Sequence, residues 1–280
     1  MGAGVVVNTN ISSLHAARVL SQNRTDLESA MARLASGKRL NSASDDAAAA
    51  SVAAKMKADI RSTDVAVRNI NDGISLFQTV DGASSEVENI LIRMRELAVQ
   101  MTNGTYSNDD RANANKEFVA LTAEIERIAT KSAFNRVKFS AGGDTTGIKI
   151  QSGAAQDDNL ALTELTLPDL RTNTSLGVSA AAISTATGAA AAVATVDTAI
   201  IKVAGYRADT GATINRLGFA LSNAQNVSQR LQEALSGLED ADYAAESAAL
   251  ARGMVLAQAG SAMLAQANQA PQYVLTLLRG

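Results

Sequence analysis

Apolar residues recur at helical spacing near both ends of the chain. Close to the start they form one broad face of a helix. Ser36 and Gly37 follow, and glycine tolerates the left-handed conformation in which helices commonly end. We therefore predict a first helix from Asn10 to Ala35. Its apolar face consists of Ile11, Leu14, Leu20, Leu27, Met31 and Leu34.

A second, much longer helix is predicted from Ala47 to Gln100. Its apolar positions keep steps of three and four residues, which is typical of a coiled-coil seam. We expect Ser44 to be its N-cap, with Asp45 and Asp46 in the first turn, where the helix dipole favours carboxylates. At about 1.5 Å per residue this helix would be about 80 Å long, which indicates an elongated molecule.

Two further helices are predicted to pack against the long one. Asn103-Gly104 breaks the pattern, and Asn108 starts a helix that returns antiparallel to the long helix. Near the end of the chain a second seam alternates steps of four and three, and its predicted partner is the helix ending at Met101. That seam consists of Leu217, Leu221, Ala224, Ser228, Leu231, Leu235 and Leu238.

The segments between these helices have weaker patterns. Residues 137–139 and 148–150 alternate apolar and polar positions around Gly142-Gly143, which predicts a short β-hairpin. Leucines between 160 and 167 are a candidate for another strand. Residues 172–195 are mostly Ala, Thr, Ser and Gly, so we expect a surface excursion with little to bury that becomes helical towards Ala189.

The composition disfavours several classes of function. Aromatic residues make up 3% of the chain, which favours closely packed helices over a deep ligand pocket. The 25 basic and 28 acidic residues are spread along the chain, so no basic stripe is available for nucleic acid. Cysteine is absent, and the single histidine, His15, rules out a zinc motif that needs two. We expect no catalytic, metal or cofactor site, and we interpret His15 as a polar position on a helix.

The stretch from Gly253 to Leu278 contains no Asp, Glu, Lys or Arg. A membrane span is one interpretation, but six residues in this part of the chain are unfavourable in hydrocarbon. They are Gln258, Gln266, Asn268, Gln269, Pro271 and Gln272. We therefore predict a helix buried among other helices and no membrane span. The first eight residues lack a basic residue and a long apolar run, so we also expect no cleaved secretory signal.

Several segments, in this order, resemble bacterial flagellin. They are the runs Arg33-Leu-Ala-Ser-Gly-Lys-Arg-Leu-Asn-Ser-Ala-Ser-Asp-Asp-Ala-Ala48, Asn71-Asp-Gly-Ile-Ser75, Arg95-Glu-Leu-Ala-Val-Gln100 and Leu264-Ala-Gln-Ala-Asn-Gln-Ala-Pro-Gln272. The resemblance extends over roughly residues 5–140 and 196–279. The resemblance implies a mainly α fold, an elongated antiparallel helical coiled-coil bundle with a small β-hairpin element and paired N- and C-terminal helices.

The resemblance also implies a division of the chain. Residues 1–40 with 246–280 would form an inner core of paired terminal helices. Residues 41–171 with 196–245 would form an outer core of coiled coils with the hairpin. Residues 172–195 would be a short variable surface segment, in place of the outer domains that many family members carry.

The function that the resemblance implies is a structural, secreted subunit that polymerises into the flagellar filament and has no enzymatic activity. Its expected partners are other copies of the chain, the flagellar export apparatus, a secretion chaperone, and the cap and hook-junction proteins. Two alternatives stay open: the hook-filament junction protein, and a secreted interaction protein of an injection-type export system.

Three sets of residues follow from the resemblance. The expected subunit interface comprises Leu20, Leu27, Leu34, Lys38, Arg39, Asn41, Asp45, Asp46, Met254, Leu264, Gln266, Asn268, Leu275 and Leu278. Contact with the toll-like receptor that senses flagellin monomers would use Arg93, Leu97 and Glu117. Candidate glycosylation sites are Thr172, Thr174, Ser175 and Ser184.

Overall fold

The fold is mainly α, as predicted. The computed structural model describes residues 9–135, 137–138, 149–153, 159–161 and 169–279. Five long helices dominate these ranges. They are α1 (Ile11–Ser36), α2 (Ala47–Thr102), α3 (Asn108–Lys131), α4 (Ala186–Glu239) and α5 (Tyr243–Arg279).

Helix α1 has the predicted bounds to within one residue. At its start the Asn10 side chain accepts a hydrogen bond from the backbone N–H of Ser13. At its end Gly37 adopts the left-handed conformation, with φ of 70°. A side chain with a Cβ would be strained at that position, so this glycine terminates the helix.

The predicted N-cap of α2 is wrong. The helix begins at Ala47, and Asp46 is its cap, because its carboxylate accepts from the backbone N–H of Ala49 at 2.9 Å. Asp45 precedes the helix and closes the turn before it, accepting from the backbone N–H groups of Asn41 and Ser42. These two hydrogen bonds, with that of Ser42 the larger effect, lower the pKa of Asp45.

Helix α3 starts where the sequence predicts and carries a complete capping box. The Ser107 hydroxyl accepts from the backbone N–H of Asp110, and the Asp110 carboxylate accepts from the backbone N–H of Ser107. One turn into the helix, buried Arg111 reaches back to α2 and donates to the carbonyl oxygens of Met101 and Asn103. The hairpin of α2 and α3 is therefore fixed at its turn by capping hydrogen bonds.

The predicted β-hairpin pairing is wrong. Strand β1 (Ala133–Phe134) pairs antiparallel with β2 (Val137–Lys138), and β3 (Lys149–Gln151) pairs antiparallel with β4 (Asn159–Ala161). The first pair closes through a two-residue connection in which Asn135 has φ of 47°, a conformation that asparagine tolerates. Residues 137–138 are thus paired locally. Phe139 and residues 142–143 lie outside the described residues.

The expectation that residues 172–195 have little to bury is also wrong. A π-helical turn (Thr172–Leu176) and a 3-10 turn (Val178–Ala180) lead into α4. They bring apolar side chains into the core, and the first turns of α4 continue the same buried surface. The buried residues are Leu176, Val178, Ile183, Ala189 and Ala192.

The chain forms two compact units. The first consists of Met1–Ala58 and Arg230–Gly280, and the second of Asp59–Gln229. The boundaries fall within α2 and α4. The division at residues 40 and 246 that the resemblance implies stays a prediction.

The core of the second unit follows the seam of α2, against which both predicted partner helices pack. One cluster joins Leu91 and Met94 of α2 to Phe118 and Ile125 of α3 and to Val196 of α4. The other cluster joins Ile70, Phe77 and Val80 of α2 to Ile150 of β3 and to Leu217 and Ala224 of α4. The prediction that α3 and the Leu217 seam pack on the long helix is therefore confirmed.

Candidate assembly surface

The terminal helices α1 and α5 pair with each other in the first unit. Leu27 lies opposite Gly253 and Leu20 lies opposite Gly260, so α5 runs antiparallel to α1 with a constant register. The half-buried positions on each helix alternate steps of three and four residues. This is the spacing of a coiled-coil seam, and it spans all of α1.

Glycines on α5 allow the two helices to approach closely. A Cβ added at Gly253 would meet the Leu27 side chain at 3.4 Å, and one at Gly260 would meet Leu20 at 3.3 Å. These separations leave no room for a branched side chain. The leucines of α1 therefore pack onto a smooth strip of α5 backbone.

Polar groups fix the register of the pair. Asn23 donates to the carbonyl oxygen of Gly253 at 2.9 Å, and Asn10 donates to that of Ala267 at 2.7 Å. The Tyr243 hydroxyl donates to the Leu34 carbonyl oxygen. These bonds lie at both ends and in the middle of the helix pair. A slip in register would break all of them.

Only one face of each terminal helix is covered by this pairing. Among the described residues, large apolar side chains remain exposed on both helices, and each is at least two-fifths exposed. They are Ile11, Leu14, Val19, Met31, Tyr243, Met254, Val255, Leu256 and Met263. Ile11, Val19, Leu256 and Met263 among them line one groove, and an exposed apolar patch of this kind marks a candidate interaction site.

Part of this surface forms an apolar groove along the seam between α1 and α5. It has a volume of about 670 Å³. Ile11, His15 and Val19 line it from α1, and Leu256 and Met263 line it from α5.

A buried carboxylate joins three segments next to the terminal pair. Glu239, at the end of α4, is 6% exposed and binds Lys38 at 2.7 Å and Lys57 at 2.6 Å. Hydrogen bonding to Lys38, and then to Lys57, lowers the pKa of Glu239. The same contact raises the pKa of Lys38.

Backbone hydrogen bonds reinforce this junction. The N–H of Arg39 donates to the carbonyl oxygen of Glu239 at 2.7 Å, and the N–H of Ala241 donates to that of Gly37 at 3.0 Å. Backbone hydrogen bonds thus hold the connection between α1 and α2 against the connection between α4 and α5.

The comparison with protein families decides what this architecture is. Residues 7–145 match the bacterial flagellin N-terminal helical region, and residues 193–278 match the bacterial flagellin C-terminal helical region. This chain belongs to the bacterial flagellin family. Flagellins are structural proteins, which agrees with the expectation of a non-enzyme.

Individual flagellins are similar over nearly the whole chain. A flagellin from Halalkalibacterium halodurans is 41% identical, and the match covers 98% of this chain and 100% of that protein. The flagellar filament 30.7 kDa core protein of Treponema maltophilum is 35% identical over 98% of this chain and 100% of its own length. The crystal structure of a Bacillus cereus flagellin has 35% identity and a TM-score of 0.50, covering 56% of this chain and 88% of that one.

The residues expected at the flagellin subunit interface fall into two groups. Leu20, Leu27, Leu34 and Leu264 are half-buried in the described helices, whereas Met254, Gln266 and Asn268 are exposed. Asn268 accepts from the Ser13 hydroxyl. The side chains of Leu275 and Leu278 lie outside those that the structure describes.

The remaining interface residues already have partners inside the chain. Lys38 binds Glu239, and Arg39 donates to the carbonyl oxygen of Leu238 at 2.7 Å. The Asn41 backbone and the carboxylates of Asp45 and Asp46 shape the turn and cap before α2. Their hydrogen bonds indicate a role in the geometry of this connection.

The three residues expected to contact a receptor differ in how exposed their side chains are. Arg93 and Glu117 are exposed and form an ion pair at 3.0 Å across α2 and α3. Arg93 also pairs with Glu96. Leu97 is 4% exposed and packs in the core, so its side chain is not accessible to another protein in this conformation.

The candidate glycosylation sites differ in access. Thr172 is 4% exposed and its hydroxyl donates to Glu126, so it is not available for a glycan in this fold. Ser175 is half-buried against the Tyr206 hydroxyl. Ser184 is exposed. The Thr174 side chain lies outside those described.

Within the described part of the chain, two helices are long and apolar enough to cross a membrane by length and composition alone. They are Ala186–Glu239 and the part of α5 from Tyr243 to Gln269. The core helices of soluble proteins satisfy the same criterion. Helix α4 indeed contributes Val196, Leu217 and other side chains to the core of the second unit.

Reasoning from the sequence missed two kinds of residue. Phe219 and Ile201 of α4 are 78% and 73% exposed, which makes them candidates for contacts with other molecules. The sequence feature that could have identified them is a large apolar residue at a position outside the Leu217 seam. Glu239 was also missed, since a single acidic residue at a helix end has no distinguishing pattern.

Proposed function

We propose that this protein is the structural subunit of a bacterial flagellar filament that serves swimming motility. The observation that carries the proposal is the terminal pair of α1 and α5, which leaves an apolar face uncovered on both helices. Burial of such a face is favourable by about 25 cal/mol per Å². Other copies of the same chain are the partner that the family membership supports.

The geometry of a filament requires a particular kind of contact. Each copy must present two different surfaces that bind head to tail, because a repeating contact that does not close generates a helical polymer. The uncovered terminal face supplies one apolar surface. The exposed Phe219 and Ile201 on α4 supply a second in the other unit. We assign inter-subunit contacts in the filament to these residues and to Met254, Gln266, Asn268, Leu275 and Leu278. Leu20, Leu27, Leu34 and Leu264 are half-buried within the chain, and we assign to them only the contacts that their exposed sides can make.

The proposed life cycle brings further partners. The chain is exported through the flagellar apparatus with the help of a secretion chaperone, and it is added beneath the cap at the tip of a filament that begins at the hook junction. Its final location is extracellular. The absence of cysteine is compatible with export as an unfolded chain, since no disulfide needs to form afterwards.

Receptor sensing of the monomer is proposed for the exposed pair Arg93 and Glu117. The ion pair presents both charges at the surface of α2 and α3. Arg93→Ala and Glu117→Ala monomers should lose signalling in cells that express the flagellin-sensing toll-like receptor. Unchanged signalling by both variants would rule out this role.

The main proposal is tested by locating the protein in the flagellum. Cells lacking the gene should have hooks without filaments, and a plasmid copy should restore filaments and swimming. Immunogold labelling of the restored flagella should then mark the whole filament length. Label confined to the hook end would instead support the junction protein. A secreted chain that stays monomeric when seeded with filament fragments would support an interaction protein.

A further inference from the structure

We infer that Asn103 is a site of spontaneous deamidation and that the folded turn between α2 and α3 promotes the reaction. Asn103 and Gly104 follow α2 directly and form the single Asn-Gly pair in the chain. In such a pair the backbone nitrogen of the glycine attacks the side-chain amide of the asparagine, since glycine has no Cβ to obstruct the approach. The inference concerns the single folded chain and does not depend on the filament function.

The backbone nitrogen of Gly104 is available for this attack. Both residues are exposed, and the Gly104 N–H donates to no acceptor among the described residues. The space beside Gly104 is open, because a Cβ built there would meet no atom within 4 Å. This nitrogen can therefore lose its proton to solvent, and the turn has room for the cyclic imide that the attack forms.

The contacts of the Asn103 backbone stabilise the nucleophile. Loss of the Gly104 proton leaves negative charge on the peptide nitrogen and, through resonance, on the Asn103 carbonyl oxygen. That oxygen accepts from the Arg111 guanidinium at 2.9 Å, and a charge-assisted hydrogen bond of this kind favours the anion. It also accepts from the backbone N–H of Tyr106 at 3.4 Å.

A separate contact acts on the group that is attacked. The backbone N–H of Thr105 donates to Asn103 Oδ1 at 3.2 Å, which folds the side chain towards the backbone that follows it. Attack on Cγ places negative charge on Oδ1, and the same N–H stabilises that charge as a donor in an oxyanion hole does. The turn thus presents a nucleophile, an electrophile and hydrogen-bond donors to both developing charges.

The reaction needs no reagent other than water. The Gly104 nitrogen gives its proton to solvent and forms a bond to Cγ of Asn103. The bond from Cγ to Nδ2 then breaks, and Nδ2 takes up a proton and leaves as ammonia. Water next opens the cyclic imide at either carbonyl carbon, adding its hydroxyl to the carbon and a hydrogen to the nitrogen. The products are aspartate and isoaspartate, and no atom is oxidised or reduced.

Modification would weaken the end of α2. Either product places a carboxylate just after the C-terminus of this helix, where the dipole favours a positive charge. Isoaspartate also carries the main chain through the side-chain carbon, which displaces the carbonyl oxygen that Arg111 binds. Modified chains should therefore unfold at a lower denaturant concentration than fresh chains.

Asn41 shows what the turn at Asn103 adds. It is also exposed and precedes another small residue, Ser42. The Ser42 N–H, however, donates to the Asp45 carboxylate at 2.8 Å, and a bond to that negative charge opposes loss of the proton. Asn41 should therefore keep its amide in the folded chain and react only after unfolding.

The experiment incubates wild-type and Gly104→Ala monomers in mildly alkaline buffer, both folded and unfolded in guanidinium chloride. Tryptic peptides are followed by mass spectrometry, and their fragment spectra assign each amide-to-acid change to a residue. A protein isoaspartyl methyltransferase reports the isoaspartate product. Gly104→Ala is the matched control, because the space beside the glycine is open and its backbone lies outside the left-handed region. Circular dichroism verifies that the variant has the wild-type helix content.

We expect Asn103 of the folded wild-type chain to lose its amide at least as fast as in the unfolded chain, and faster as the pH rises. Gly104→Ala should slow this loss severalfold, and Asn41 should react only in denaturant. An Asn103 amide that persists in the folded chain while it is lost in denaturant would overturn the inference. Equal rates at Asn103 in folded wild-type and Gly104→Ala chains would overturn it as well.

Discussion

Replacement of Arg111 by methionine should destabilise the second unit substantially. Arg111 is 6% exposed, and its guanidinium donates to the carbonyl oxygens of Met101 at 3.0 Å and Asn103 at 2.9 Å. These carbonyls lie at and just after the C-terminus of α2, where the helix dipole favours a positive charge. Methionine keeps most of the apolar stem and removes the donors.

The magnitude follows from the exposure of the two acceptors. A hydrogen bond to a charged group contributes about 1.5–3 kcal/mol. Met101 is buried, so its carbonyl loses the full interaction, whereas Asn103 is exposed and its carbonyl can bind water instead. We therefore expect the free energy of unfolding to fall by about 2–4 kcal/mol.

The assay is urea unfolding of the monomer, followed by circular dichroism at 222 nm. Arg127→Met is the matched control, because Arg127 lies on the same helix, is exposed, and pairs with Glu124 three residues earlier. Exposed pairs of this kind contribute little to stability. The control should unfold like the wild-type chain. A loss below about 1 kcal/mol for Arg111→Met would refute the proposed capping role.

Three further predictions concern other parts of the chain. The pKa of Glu239 is lowered in the fold, so its ion pairs stabilise the fold above the ordinary carboxyl pKa, and this contribution is lost as the pH falls below it. Glu239→Gln should therefore weaken the acid dependence of the thermal unfolding temperature. Gly188→Ala should lower the melting temperature, because the new Cβ would lie 2.8 Å from the Ala182 carbonyl oxygen. Gly260→Val should impair seeded polymerisation by displacing the leucine that faces it, whereas Gly82→Val, with open space beside the glycine, should polymerise normally. An unchanged acid dependence for Glu239→Gln, an unchanged melting temperature for Gly188→Ala, or equal polymerisation of Gly260→Val and Gly82→Val would contradict the packing described.

The long helices are predictable because their signals are local and periodic. Gly37 ends α1 through a conformation that only glycine adopts without strain, and Ser107 starts α3 through side-chain capping. The seam at Leu217 indicates its partner, because a heptad pattern of this length needs a facing helix. Each of these features is visible in a few neighbouring residues.

The remaining features depend on contacts that no local pattern specifies. Leu176, Val178 and Ile183 are buried without a regular period, so the segment before α4 resembled a surface loop. Asp46 and Ser44 are both suitable N-caps by residue type, and the turn closed by Asp45 decides between them.

The receptor and interface residues show the same limit. Their identities resemble the family motif, but access depends on packing. Leu97 is turned into the core, while Arg93 stays at the surface. Lys38 finds its carboxylate partner in Glu239, some two hundred residues later in the same chain. Charge complementarity alone could not decide between that partner and one on another subunit.

The most direct test of the filament function is a helical reconstruction of the assembled polymer by electron cryomicroscopy. Helices α1 and α5 should be ordered and innermost, with the apolar face around Leu256 and Met263 covered by neighbouring copies. Terminal helices that are disordered in the polymer, or that lie on its outer surface, would contradict the central claim.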